Sequence, residues 1–429
     1  MPRSDLAAGP QAPPRVVVLP PRRTPGGPPR WARRLAFVVA LVGLIASVPV
    51  LVRLGWQRAI RADGEVSAAA TGDPTAPGYR VVVSPTSTLL VVHRGPDGSL
   101  AGVSLLASAG QDGGGAVLLV PLTLLVDPDG SRPRTLASVY RTGGVEALSA
   151  AVSEVLRMGF GRVVTADPRD WAGAVGNRTL TVDNPDDLTE VDGTVRFEAG
   201  TVRLGGADVE PYLRLRKPGE EDRSRLYRSR LLWRAWFASM TASPPPERTD
   251  PFSAMVTDLA RSSVEVVDLP VVVAGESLAG ATDNAAVPGT PETTYRVDRA
   301  AADSLLATLV PFPTSARPGD RVRVRLLNGN GDAAATLELS GRLVPAGAEI
   351  VVFGNAGRFD IATTEVEYYV ESERADAEAM AAVLGVASAR FNPVGDATVD
   401  VGVIVGTDLV GPSSGPGTAR PTSTTRRQG

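Results

Sequence analysis

The chain has 429 residues, of which 43% are hydrophobic, 21% charged and 5% aromatic, and its formal net charge is −3. This length allows two or three domains with at least one sizeable core, and it excludes a disulfide miniprotein and a wholly disordered chain. The absence of cysteine excludes thiol nucleophiles, zinc fingers and iron–sulfur clusters, and a single histidine, His93, excludes a two-histidine metal site within one chain. The near-neutral charge argues against nucleic acid as a partner.

The N-terminal part of the chain predicts a membrane anchor. Residues 1–34 contain nine prolines, seven arginines and one acid, which is typical of a disordered basic tail. Residues 35–52 carry no charge and reach about 27 Å as a helix, so we predict a membrane-embedded helix over residues 35–55. The arginines before this span place the N-terminus in the cytoplasm and the rest of the chain outside, as a single-pass protein of the cell membrane. A cleaved signal peptide and a buried core helix are the alternatives.

The middle of the chain alternates strand and helix patterns. Residues 56–78 predict a linker, and residues 79–313 predict an α/β domain with a mixed sheet. YRVVV, TLLVVHR and LAGVSLL read as antiparallel strands, and VLLVPLTLLVD reads as one buried strand. The longest predicted helix begins at Asp222 and ends at Met240, with Leu226, Trp233 and Phe237 on one face.

The C-terminal part predicts a second, smaller domain. Residues 314–319 form a linker, and residues 320–410 follow the order βαββαβ, which predicts a ferredoxin-like unit. Residues 411–429 lack an apolar period and predict a disordered tail.

Two sets of motifs resemble those of a known family. The C-terminal part contains VRVRLLNGNG, GNAGRFD and VIVGTDL, and the middle contains, in order, TLLVV, LASVYRTGGVEAL and YLRLRKPGEEDRSRLYRSRLL. The first set resembles the LytR C-terminal domain, and the second resembles the extracytoplasmic α/β domain, of the LytR-CpsA-Psr family of bacterial cell-envelope proteins. Members of this family transfer a glycopolymer from a polyprenyl-pyrophosphate carrier to the cell wall. Arginines and a carboxylate-bound Mg²⁺ hold the pyrophosphate, and an apolar tunnel holds the lipid. The resemblance therefore implies cell-wall glycan or lipid-linked glycopolymer as a partner, together with other envelope proteins.

The resemblance assigns five candidate pyrophosphate-binding residues. The family's arginine pair on a strand matches Arg214 and Arg216, and its Asp-x-x-Arg-x-x-Arg helix matches Asp222, Arg225 and Arg228. Forked guanidinium groups fit phosphate oxygens, and convergent arginines repel one another unless an anion lies among them. The alternative is a solvated basic face, since the chain uses arginine for all but one of its 44 basic residues.

Two family motifs are missing. Residues 85–88 read PTST where the family has Arg-Ser-Asp-Thr, whose aspartate helps to hold the metal, and residues 121–123 read PLT where it has Pro-Arg-Asp. We therefore expect no catalytic residue, no metal site and no cofactor, in a degenerate domain that binds or scaffolds cell-wall or lipid-linked glycopolymer components. The alternative is an active phosphotransferase that attaches glycopolymers to the cell wall, with Mg²⁺ held by Asp97, Asp127 or Glu220. Transcriptional attenuation is disfavoured, since only the short tail is predicted to face the cytoplasm.

Overall fold

The computed structural model describes residues 72–109, 114–127, 130, 132–190, 192–217, 220–242, 250–278, 291–394 and 398–410. The predicted tails (1–34 and 411–429), the predicted span (35–55) and most of the predicted linker over residues 56–78 lie outside these ranges. Within them, no helix combines the length and the apolar character that crossing a membrane requires.

The described elements alternate along the chain, as the sequence predicts. The strands are β1 (Arg80–Val82), β2 (Ser87–Arg94), β3 (Leu100–Ser108), β4 (Gly115–Val120), β5 (Leu125–Val126), β6 (Arg134–Thr135), β7 (Arg162–Ala166), β8 (Leu180–Asn184), β9 (Leu188–Thr189), β10 (Val195–Phe197), β11 (Gly200–Leu204), β12 (Val264–Asp268), β13 (Val271–Leu278), β14 (Pro291–Val297), β15 (Val322–Asn328), β16 (Ala348–Asn355), β17 (Glu365–Tyr368), β18 (Arg390–Phe391) and β19 (Val401–Val405). The helices are α1 (Leu136–Leu156), α2 (Pro168–Val175), α3 (Gly206–Arg214), α4 (Asp222–Ala242), α5 (Pro251–Leu259), α6 (Arg299–Leu309), α7 (Ala333–Glu338), α8 (Ser340–Leu343), α9 (Arg374–Leu384) and α10 (Thr407–Val410), with a 3₁₀ turn at Glu371–Glu373.

A mixed five-stranded sheet organises the central part of the molecule. Its strand order is β12-β4-β3-β2-β7, with antiparallel pairing in the middle and one parallel pair at each side. This confirms the predicted α/β class with a mixed sheet. The predicted strand VLLVPLTLLVD is interrupted, because β4 ends at Val120 and a turn follows before β5.

Both faces of the central sheet are buried. Along β2, Leu89 and Val91 point into one apolar core while Leu90 and Val92 point into the other, as the two-residue period of a strand requires. Helices α2 to α5 contribute to the first core, and α1 and α6 contribute to the second. The domain is therefore a three-layer arrangement in which the sheet lies between two sets of helices.

Local signals in the sequence explain where the main helices begin and bend. Thr135 caps α1 by accepting the backbone N–H of Ser138 at 3.2 Å, and Gly144, with φ of 64°, interrupts the same helix. The predicted helix beginning at Asp222 is confirmed as α4, and its predicted apolar face, which includes Leu226 and Trp233, is buried.

The C-terminal part forms a second sheet with the strand order β1-β16-β15-β19-β17-β18. The predicted succession of strands and helices is confirmed, but the predicted ferredoxin-like arrangement is wrong. In that arrangement another strand separates two strands that a helix connects, whereas β15 and β16 are direct parallel neighbours here. One face of this sheet carries a third apolar core, to which α8 and α9 contribute.

The segment that enters the described structure belongs to this second sheet. Strand β1 pairs with β16, and the side-chain amide of Asn355 donates to the backbone oxygens of Pro74 and Ala76 at 2.9 and 2.8 Å. The predicted pairing of YRVVV with TLLVVHR is therefore wrong, whereas the predicted hairpin of TLLVVHR with LAGVSLL is confirmed as β2 and β3. The residues of a short strand such as β1 do not record which distant strand they pair with, so the sequence does not predict the pairing of β1 with β16.

Candidate functional site

The five candidate residues gather at one end of the strands of the central sheet, where β3 begins and β4 ends. Asp222 begins α4, Arg225 and Arg228 follow on its first two turns, and Arg214 ends α3. Arg216 lies in the segment between the two helices, so the expectation that Arg214 and Arg216 lie on a strand is wrong. Helix α3 extends to Arg214 because Val209, Tyr212 and Leu213 have the three- and four-residue spacing of a buried helix face.

Asp222 is the centre of the cluster and is fully buried. Its Oδ1 accepts hydrogen bonds from Arg225 Nε at 2.7 Å and Arg216 Nη2 at 2.9 Å. Its Oδ2 accepts the backbone N–H groups of Leu122 and Thr123 in the turn after β4. Burial raises the pKa of Asp222, but the charges of Arg225 and Arg216 outweigh it, so the pKa lies below its usual range. Asp222 is therefore an ionised carboxylate with four donors.

Arg225 and Arg228 are buried, with side-chain exposures of 3% and 1%. Arg225 also donates through Nη1 to the backbone oxygen of Ala101 at 3.1 Å, and Arg228 pairs with Glu220 and donates to the backbone oxygen of Leu215 at 2.7 Å. The alternative of a solvated basic face is therefore wrong for these two residues. The predicted pairing of Asp222 with Arg225 is confirmed.

The remaining two arginines also bind carboxylates of the chain. Arg216 Nη1 donates to Glu292 on β14 at 2.8 Å, and Arg214 Nε donates to Glu210 one turn earlier on α3 at 2.9 Å. The cluster therefore contains four arginines and four carboxylates, which are Glu210, Glu220, Asp222 and Glu292. The anions that offset the mutual repulsion of the arginines come from the chain itself, and we call this set the closed arginine cluster.

The closed arginine cluster does not fit a Mg²⁺ ion. Magnesium needs oxygen ligands with free lone pairs, but each oxygen of Asp222 already accepts two hydrogen bonds. Those to Oδ1 come from the two cations Arg216 and Arg225. Glu220, one of the alternative ligands, pairs with Arg228. Asp97 lies in the turn between β2 and β3 and accepts from Ser99, and Asp127 is exposed after β5. Across the described ranges, no three carboxylate or histidine side chains group closely enough to hold a metal ion.

The structure separates the two motifs that depart from the family pattern. Residues 121–123 do reach the cluster, because two of their backbone N–H groups bind Asp222. Residues 85–88 lie at the opposite end of the central strands. Ser87 pairs with Ser108 at that end, whereas Arg94 pairs with Leu100 at the end where Ala101 and the cluster lie. Residues 85–88 therefore do not contribute to the closed arginine cluster, and their comparison with the family's metal-binding aspartate stays a prediction.

An aromatic cluster fills the core beside the closed arginine cluster. The ring centroids of Trp171, Trp233 and Trp236 lie 5.3 to 5.5 Å apart, and Phe252 lies 5.1 Å from Trp171. The ring of His93 stacks on Trp171 at 5.1 Å, and its Nε2 shares a hydrogen bond with Ser104 Oγ at 2.9 Å. Trp233, which the sequence predicts on the apolar face of its helix, is therefore a core residue, and so is Trp236.

The space left between these rings and the arginines is small. A cavity of about 10 Å³, bordered by His93, Arg225 and Trp233, has room for about one water molecule. Burial and, to a smaller extent, the charge of Arg225 together lower the pKa of His93 to about 3, so the imidazole is neutral at pH 7. This corner of the core is therefore tightly filled and carries a neutral ring against a buried cation.

Comparisons with known proteins agree with the C-terminal resemblance. Residues 321–409 match the LytR_C family model, described as LytR cell envelope-related transcriptional attenuator. This confirms the LytR C-terminal domain that the motifs predict over residues 320–410. A search of curated proteins gives no match.

Several solved structures are distantly similar to the chain. B. subtilis TagT is 17% identical, with 57% of this chain and 94% of TagT covered and a TM-score of 0.40. The LytR-Csp2A-Psr enzyme from Actinomyces oris is 15% identical, with 55% and 96% covered and a TM-score of 0.36. The Lin1025 protein from Listeria innocua is 16% identical, with 53% and 98% covered and a TM-score of 0.36. At such identities and TM-scores the likeness assigns no activity to this chain.

Proposed function

We propose that this protein is a membrane-anchored, extracytoplasmic component of the bacterial cell envelope that binds or scaffolds cell-wall or lipid-linked glycopolymer without transferring it. The observation that carries the proposal is the closed arginine cluster. A phosphotransferase needs arginines that are free to neutralise a leaving pyrophosphate, and here Arg216, Arg225 and Arg228 are neutralised by buried carboxylates.

The energetics favour a structural role for the cluster. Admitting a pyrophosphate would bring further negative charge beside Asp222 and Glu292 and would break charge-assisted hydrogen bonds that are already made. Removing one partner of a buried ion pair is costly, which explains why such a network persists without a catalytic function. The glycopolymer partner is supported by the LytR_C match over residues 321–409 and by the motif resemblance in the central domain.

Two measurements on the full-length protein test the proposal. The first is retention of the protein on purified cell wall or glycopolymer, and we expect it to be retained. The second is turnover of a polyprenyl-pyrophosphate-linked glycan in the presence of Mg²⁺ or of a chelator, and we expect no turnover in either condition. A matched sample carries Arg225→Gln, which removes the cation nearest Asp222. Mg²⁺-dependent turnover that disappears in this variant would overturn the proposal and establish the phosphotransferase. Failure to bind both cell wall and glycopolymer would also overturn it.

A further inference from the structure

A second arginine-lined feature lies where the central and C-terminal sheets meet. It is a cleft of about 760 Å³, bordered by the end of α1, by α6, by residues 313–321 and by the turn before β16. Hydrogen bonds hold its walls together, because Gly159 donates to the Thr314 carbonyl at 2.8 Å and Arg321 Nε donates to the Arg157 carbonyl at 2.8 Å. A cleft of this volume is typical of a small-molecule site.

The floor of the cleft is apolar. Side chains from both parts of the molecule form it, and they are Leu156, Met158, Leu306, Val310, Val344 and Pro345. Most of them are buried core residues, so their positions are fixed by packing on the far side. A ligand with an apolar body would cover the part of this surface that still faces the cleft.

One wall carries a strained arginine. Arg157 follows α1 with φ of 53°, in the left-handed region, and among the described residues it is the one non-glycine position with positive φ. Glycine is the usual residue at this place after a helix, because a Cβ is unfavourable there. The side chain of Arg157 is 57% exposed, and its Nη1 lies 3.6 Å from Asp303, which is longer than a hydrogen bond. Residues held in such sparsely populated backbone conformations concentrate at functional sites.

Arg321 reaches the same wall from the C-terminal part. It donates to the backbone oxygens of Arg157, Val344 and Ala348, at 2.8 to 3.1 Å. Those acceptors are neutral, and no carboxylate of the described residues lies within ion-pair distance of its guanidinium. Burial lowers the pKa of Arg321, as expected for a cation without a direct counter-ion.

The arginines and acids that line the cleft are equal in number, and Arg321 is the arginine among them that bonds only backbone carbonyl groups. Arg317 is 81% exposed and bonds Asp320 at 3.2 Å, and Arg299 bonds Asp303 at 3.3 Å from outside the cleft. Three arginines, at positions 157, 317 and 321, and three acids, at positions 154, 303 and 320, line the cleft, and Arg299 and Glu349 act on it from outside the lining. An incoming oxyanion would compete with Asp303 for Arg157 and with Asp320 for Arg317, but with no directly bonded carboxylate for Arg321.

We propose that this cleft binds a small organic anion with an apolar body, whose oxyanion is held by Arg157, Arg317 and Arg321 while the body lies on the apolar floor. A carboxylate and a phosphate monoester share this chemistry, since both present oxygens that match a guanidinium. The inference does not rest on the proposed glycopolymer function, because the cleft is separate from the closed arginine cluster.

Calorimetric titration of the full-length protein tests this assignment with three probes: N-acetyl-leucyl-leucine, its C-terminal amide, and butyl phosphate. We expect the free acid or the phosphate to bind, and the amide to bind about tenfold more weakly because it lacks the charge. Binding of the acid alone, of the phosphate alone, or of both supports the site and identifies which oxyanion it prefers. Binding of neither at millimolar concentration, or equal binding of acid and amide, overturns it.

Two variants and one control place the binding in the cleft. Arg157→Gly removes the guanidinium and relieves the backbone, so binding should weaken about tenfold while the midpoint of thermal unfolding rises slightly. Arg317→Gln should weaken binding with an unchanged midpoint. Arg358→Gln is the matched control, since Arg358 is 72% exposed and also pairs with a nearby aspartate, but lies away from the cleft. Unchanged binding in both cleft variants would refute the proposal.

Discussion

The two arginine-rich regions of this molecule differ in what neutralises the arginines. In the closed arginine cluster, four buried carboxylates meet the guanidinium groups, and Asp222 accepts four hydrogen bonds. In the cleft at the junction of the sheets, Arg321 bonds only neutral carbonyl groups, and Arg157 is mostly exposed. The comparison teaches that an arginine motif predicts an anion site only when the fold has not already supplied the anions.

The largest expected effect comes from removing the centre of the closed cluster. Asp222→Ala leaves Arg216 and Arg225 buried without their shared carboxylate and frees two backbone N–H groups, so we expect a loss of about 3 to 5 kcal/mol in the free energy of unfolding. Urea denaturation measures this loss. Asp360→Ala is the control, because the Asp360 side chain is 76% exposed and its pair with Arg358 is long. Equal free energies of unfolding for the two variants would mean that Asp222 does not stabilise the cluster.

The next effect tests how well the core beside the cluster excludes protons. The folded-state pKa of His93 is about 3 against 6.5 in the unfolded chain. Below pH 6.5 the unfolded state therefore binds a proton that the folded state does not bind. The contribution of His93 to the free energy of unfolding is fully present above pH 6.5 and decreases as the pH falls towards 3. At pH 5 the expected loss is about 2 kcal/mol. Urea denaturation at pH 7.5 and pH 5 gives the value, and His93→Gln should remove this part of the pH dependence. A variant with the same pH dependence as the wild type would contradict the buried neutral ring.

A third test converts the closed cluster into an open one. Replacing Glu220 and Glu292 by glutamine removes two of its four negative charges and keeps the side-chain shapes, so the arginines gain a net charge of two. We expect inorganic pyrophosphate at about ten times its Kd to stabilise the double variant by about 1.4 kcal/mol, and to leave the wild type unchanged. Thermal unfolding with and without pyrophosphate measures both. Stabilisation of the wild type would show that the cluster is already an anion site.

The smallest effect concerns the backbone of the cleft. Arg157→Gly should raise the free energy of unfolding by about 0.5 to 1 kcal/mol, because glycine adopts positive φ without strain. Arg157→Gln keeps the Cβ and removes the charge, so it is the matched comparison and should show no such gain. Equal free energies of unfolding for the two variants in urea denaturation would mean that the backbone of Arg157 is not strained.

The residues that sequence reasoning missed are those that close the cluster. Glu210 is four residues before Arg214, a spacing that pairs two side chains on a helix, but the expectation of a strand at Arg214 hid this pair. Glu292 lies 76 residues from Arg216, and the N–H groups of Leu122 and Thr123 lie about 100 residues from Asp222, at separations that leave no local pattern. Glu220 was considered as a metal ligand, whereas the structure makes it the partner of Arg228.

The sequence by itself determined the mixed α/β class, the helix that begins at Asp222 with its buried face, the pairing of Asp222 with Arg225, and the LytR C-terminal domain. Each of these follows from short-range periodicity or from motifs whose residues are close together. Only the tertiary structure decided the strand order of the C-terminal sheet, the place of β1 within it, and the neutralisation of the arginines. Those features depend on pairing between distant segments, and the sequence of one segment does not record which partner buries it or which carboxylate meets its charge.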